Sequence, residues 1–147
     1  MSDFLEEHEK ITYDNFLNNG YIIQKIDDMS NLDFLQNFLV KKSSEFLASK
    51  KITDNKNWLN NIHNLISCEQ LNSLRLNLIQ AINNEKKFRE NYYKTSKKYL
   101  DLIVGNELAM QRRVNLSIQL PNDDSSLLPV HADTWSGDSA YEAVVWI

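Results

Sequence analysis

The stretch QRRVNLSIQLP, residues 111–121, divides this chain in two. Val114, Leu116, Ile118 and Leu120 alternate with Arg113, Asn115, Ser117 and Gln119. Period two is the signature of extended backbone with one buried face, so a half-buried strand is predicted here. Downstream, the turn-forming PNDDSSLLP (121–129), a short strand around His131, a glycine-containing loop and YEAVVWI (141–147) continue a β-rich texture.

Upstream the texture is helical. Gly20, Gly105, Pro121, Pro129 and Gly137 are the chain's only glycines and prolines, which leaves residues 21–104 free of both. Tyr13, Phe16 and Leu17 share a helical face, Gly20 suits a left-handed cap, and YIIQKI (21–26) predicts an early strand. Ser30 precedes Leu32, Leu35, Phe38, Leu39, Phe46 and Leu47, whose spacing predicts an amphipathic helix over about 31–48. SKKITDNKNWLNNIHN (49–64) reads as a loop followed by a short helix. Ser67 and Gln70 form a capping box ahead of Leu71, Leu74, Leu78, Ile79 and Ile82. Residues 85–104, with Phe88, Tyr92, Tyr99, Leu100 and Ile103 beside many lysines, predict a further helix that Gly105 ends. Helices first and strands last define an α+β order.

Bulk properties narrow the function. At 147 residues one domain is expected. A net charge of −4 argues against non-specific binding to nucleic acid or an anionic membrane, so a small molecule or a protein is the expected partner. Cys68 stands alone, so neither an internal disulfide nor a thiolate zinc site can form within one chain, and a cytoplasmic setting is natural. The acidic MSDFLEEHEK start is unlike a signal peptide, and no window is apolar enough to span a bilayer.

The chemistry concentrates in LPVHADTWSGDSAYEAVVWI, residues 128–147. On extended backbone His131 and Asp133 project to the same side, with Ala132 facing away. An imidazole and a carboxylate together suit a divalent first-row metal, and two histidines with one carboxylate leave three positions open on iron(II). The tripeptide alone is weak, because a hydrogen-bonded surface pair has the same sequence. His8 and His63 fall in helical or polar segments and are poor candidates for a third ligand.

The block GNELAMQRRVNLSIQLPNDDSSLLPVHADTWSGDSAYEAVVWI (105–147) resembles the iron(II)/2-oxoglutarate-dependent dioxygenases. Within them it is most similar to the phytanoyl-CoA-dioxygenase-like group, in the branch found in bacterial carbohydrate-biosynthesis clusters. YDNFLNNGYIIQKI (13–26) adds a weaker likeness. The resemblance implies a helical N-terminal region over 1–104, then the first strands of a double-stranded β-helix (a jelly roll, cupin-like) over 105–147. It implies that His131 and Asp133 are metal ligands, with Fe(II), 2-oxoglutarate and O2 as cofactor and co-substrates and a sugar-linked small molecule as substrate. The carboxylate at Asp133 points to a hydroxylase rather than a halogenase. By the same resemblance Asn115, Ser117 and Gln119 either line the co-substrate pocket or form an outward polar face. Trp135 and Ser136 either close over the metal or plug the barrel mouth.

The family pattern also requires a distal histidine and an arginine or lysine for 2-oxoglutarate, and this chain offers neither. The expectation is therefore the N-terminal part of an oxygenase, truncated, that binds iron weakly alone and self-associates through exposed strand edges. A non-catalytic α+β binding or scaffold module is the alternative.

Overall fold

The computed structural model describes residues 4–48, 55–124 and 127–147. Among them the chain forms five α-helices, two 3-10 turns and no β-strand. Helix α1 spans Glu7–Asn19, α2 Ser30–Phe46, α3 Asn55–Asn60, α4 Cys68–Asn84 and α5 Lys86–Ile103. The 3-10 turns cover Ile62–Asn64 and Asp133–Ser136.

Local chemistry sets the helix ends. Ser67 and Gln70 make the reciprocal capping box of α4, satisfying donors the helix itself cannot. Glu85 caps α5 by accepting from the Lys87 N–H at 3.1 Å. Gly20 takes φ 77°, and its N–H donates to the Phe16 carbonyl at 2.8 Å, which terminates α1. The predicted helix over 31–48 is realised as α2, one turn of its length differing at most. The loop expected at 49–54 lies outside the described residues, as do Ser125 and Ser126 of the expected turn.

Helix α2 is central, packing on α3, α4 and α5, while α1 rests on α5. Two apolar clusters result. One joins Ile66, Leu71, Leu74, Leu78 and Leu120; the other joins Leu35, Ile82, Phe88 and Val114. Leu116 packs against both. Phe38 meets Phe88 edge-on at 5.4 Å, a favoured aromatic geometry. Trp58 donates its indole N–H to the Ser43 hydroxyl at 2.8 Å, and that hydroxyl donates to the Val40 carbonyl at 3.1 Å, so a buried serine is fully used.

The β part of the expectation is overturned. Among the described residues neither 21–26 nor 105–147 contains a strand, and the first strands of a jelly roll are not formed there. The alternation of 114–120 is nonetheless real in burial. Val114 and Leu120 are buried, Leu116 and Ile118 half-buried, and Asn115, Ser117 and Gln119 exposed. Period two requires only that one face of an extended segment be covered, and here helices cover it instead of a second sheet.

Helix side chains also take the backbone bonds that a neighbouring strand would have taken. The Asn83 carboxamide donates to the Val114 carbonyl at 2.9 Å and accepts from the Val114 N–H at 2.9 Å. The Arg89 guanidinium donates to the carbonyls of Met110, 2.7 Å, and Gln111, 3.1 Å. The segment 21–27 is held by α5: the Tyr99 hydroxyl donates to the Lys25 carbonyl at 3.3 Å, and the Lys98 ammonium pairs with the Asp27 carboxylate at 3.1 Å. Among the described residues no strand edge is therefore presented. What the C-terminal region exposes is side chains, Val144, Trp146 and Ile147 among them.

Candidate functional site

His131 and Asp133 lie where residues 127–132 enter the 3-10 turn Asp133–Ser136. Ala132 between them is extended, φ −118° and ψ 136°, which is enough to set its neighbours on one side without a strand. The turn is closed by the Trp135 N–H on the Ala132 carbonyl at 2.9 Å and the Gly137 N–H on the Thr134 carbonyl at 3.2 Å. Gly137 ends it at φ 99°, a left-handed conformation that a side chain would strain.

The imidazole is oriented at both nitrogens. Nδ1 sits 2.7 Å from the Pro129 carbonyl, which can only accept, so Nδ1 carries a hydrogen. Nε2 lies 3.5 Å from Asp133 Oδ1. In the neutral ring Nε2 then presents a lone pair to a carboxylate oxygen. Two electron-rich atoms so placed attract only through a proton on Nε2 or a cation between them. The arrangement can therefore be an imidazolium–carboxylate pair or two cis donors for a metal. A backbone carbonyl on the far ring nitrogen is the usual support of a metal-bound histidine. The side chains are 42% and 59% exposed, so access is open.

Among the described residues no third His, Cys, Asp or Glu joins them. Among the described residues no group of three or more His, Cys, Asp or Glu is placed to hold a metal ion. His8, in the first turn of α1, instead pairs with the N-cap Glu6 at 3.3 Å, and His63 lies in the 3-10 turn Ile62–Asn64. The donor set present fits two positions of a metal centre and no more.

The remaining expected site residues are elsewhere. A groove of about 920 Å³ runs between α2, α5 and the segments 107–117 and 138–147. Leu35, Ile82, Phe88 and Val114 are part of its apolar lining, with Arg113, Asn115, Ser117, Glu107 and Glu142 among the polar groups. Asn115 and Ser117 thus reach a cavity, whereas Gln119 is exposed and away from it. His131, Asp133, Trp135 and Ser136 do not line this groove either. Trp135 is 75% exposed. The Tyr92 hydroxyl donates to the Val145 carbonyl and ties the C-terminal segment to α5; burial pushes that phenol above its ordinary pKa. Nothing in the sequence pattern distinguished Asn83 or Arg89 as anchors, since a polar residue on a helix flank is ordinarily solvated.

No helix among the described residues is long and apolar enough to cross a membrane. Comparison of the chain with protein-family models, with curated proteins and with solved structures found no match.

Proposed function

We propose that this chain contributes His131 and Asp133 as two metal donors of an Fe(II)/2-oxoglutarate-dependent oxygenase of the hydroxylase type. The observation that carries it is the orientation of the imidazole: Nδ1 is committed to the Pro129 carbonyl and Nε2 is left facing Asp133 at 3.5 Å. Cis donors about 2.1 Å from an octahedral ion stand about 3.0 Å apart, so the exposed pair has about 0.5 Å to close. The third donor, and the basic group for 2-oxoglutarate, would come from outside these residues. When bound, the metal would activate oxygen beside the co-substrate; the protein's part is to orient two donors and leave the facing positions open. A sugar-linked small molecule and a cytoplasmic setting are the substrate and compartment that the family likeness and the lone thiol support.

Anaerobic calorimetric titration with Fe(II) tests this. Binding that is weak alone, stronger with 2-oxoglutarate and lost in Asp133→Ala is expected. Equal heats for the parent chain and Asp133→Ala would remove the basis of the proposal. Oxygen-dependent succinate release, measured where a third donor is supplied, then tests the chemistry.

One observation favours a second reading, a non-catalytic binding or scaffold module. The large groove, with its apolar lining, does not include the His131–Asp133 pair. On that reading Fe(II) adds no heat, and an apolar ligand protects Tyr141 and Trp146, which line the groove and are exposed, from solvent without any metal.

A further inference from the structure

The groove beside α5 carries backbone groups that the described chain leaves unpaired. Asn83 takes both the N–H and the C=O of Val114, so those two groups point to one side, as they do on an extended residue. On extended backbone the next residue presents its N–H and C=O to the opposite side. The groups of Asn115 and Ser117 therefore point away from α4. Both residues line the groove and are exposed, and among the described residues neither makes a backbone hydrogen bond to protein. Residues 142–147 line the same groove: the Tyr92 hydroxyl holds the Val145 carbonyl, and Val144 and Trp146 on either side of it are exposed.

A row of backbone donors and acceptors beside an apolar lining fits an extended polypeptide. Its own backbone repeats at the same spacing of about 3.3 Å per residue, and its alternate side chains enter the groove. A small apolar ligand would leave the row unused. Charge then selects the polypeptide. Glu107, Asp138 and Glu142 line the groove against Arg113, and among the described residues none of the four forms a salt bridge. A second copy would bring the same excess of carboxylates to a twofold contact, where like charges oppose it.

We propose that the groove binds an extended, basic segment of a partner protein, which adds as a strand along residues 113–117, with apolar side chains at alternate positions and lysine or arginine beside Glu107, Asp138 and Glu142. This goes beyond the metal reading of His131 and Asp133 and does not depend on it, since neither residue lines the groove. Residues 113–117 span about 17 Å when extended, so a segment of about seven residues is long enough.

The test is fluorescence anisotropy of the full chain, in chelator, with a labelled heptapeptide that has valine at alternate positions, threonine between them and lysine at both ends. Saturable binding is expected, and N-methylation of the peptide's backbone amides weakens it about tenfold or more. Hydrogen exchange at the Asn115 and Ser117 amides slows in the complex. Asn115→Ala keeps the N–H and binds within about twofold of the parent chain. Asn115→Pro lacks it and binds about tenfold more weakly, with the far-UV circular dichroism unchanged. Glu142→Gln weakens binding about threefold, and a peptide ending in glutamates does not bind. Absence of saturable binding by the lysine peptide overturns the site. Equal binding of parent and N-methylated peptides, with the Asn115 and Ser117 amides unprotected, overturns strand addition even where Asn115→Pro fails to fold. Equal binding of the glutamate peptide overturns the basic partner. Protection of those amides that rises with chain concentration in the absence of peptide assigns the groove to a second copy and overturns the proposal.

Discussion

Replacing Asn83 by alanine separates a helix-held segment from a sheet-held one. In the structure the Asn83 carboxamide takes both hydrogen-bonding groups of Val114, each at 2.9 Å, and Val114 is 6% exposed. Each bond contributes about 0.5–1.5 kcal/mol net, and truncation leaves the N–H and C=O of a buried residue without partners. Against this, alanine returns about 0.5 kcal/mol of helix propensity near the end of α4. The expected loss is about 1–2 kcal/mol, or a fall in Tm of about 3–8 °C for a chain of this length. Urea unfolding followed by far-UV circular dichroism gives the free energy, and native-state hydrogen exchange gives the protection of the Val114 amide. If Val114 were bonded to neighbouring strands, the substitution would change stability by less than about 0.5 kcal/mol and leave that amide protected. That result would refute the helix-held account of residues 110–120.

Ser43→Ala removes the hydroxyl that accepts from the Trp58 indole N–H in a fully buried position, and costs about 1–3 kcal/mol in urea unfolding. Leu74→Ala opens a cavity where the side chain is 0% exposed and costs about 2–5 kcal/mol; a loss under 1 kcal/mol would place Leu74 outside the core. Tyr92→Phe releases the Val145 carbonyl, which raises hydrogen exchange over residues 143–147 while α5 stays protected. The same variant alters the alkaline limit. Tyr92 has its folded pKa raised by burial, so its contribution is intact below the unfolded phenol pKa of about 10 and is lost as pH rises through the folded value. Wild type therefore loses stability above about pH 10 that Tyr92→Phe does not lose through this group, and parallel alkaline melts for both would contradict it.

Much of the helical half was legible from residues 7 to 104. The spacing of Leu71, Leu74, Leu78 and Ile82, the Ser67–Gln70 box and the left-handed glycine at 20 depend on neighbours within one or two turns, and local chemistry decides them. The capping of α2 differs in detail, since Ser30 is its first residue and Asp28 accepts the Ser30 N–H at 2.9 Å. The candidate site was legible only in part. That His131 and Asp133 share a side follows from one extended residue between them, whether or not a strand exists.

What covers the alternating segment lay beyond the sequence. The pattern Val114, Leu116, Ile118, Leu120 determines by itself that one face is apolar and that it is buried. It carries no information on whether a strand or a helix buries it. Only the tertiary structure decided for the helices, through contacts across about thirty residues from Asn83 and about twenty from Arg89 to backbone atoms of 110–114. The same holds for the groove: Asn115 and Gln119 stand on one face of the alternation, yet only Asn115 reaches the cavity. Sequence period specifies which way a side chain points from its own backbone. What it points at depends on segments distant in the chain, and those meet only when the core closes.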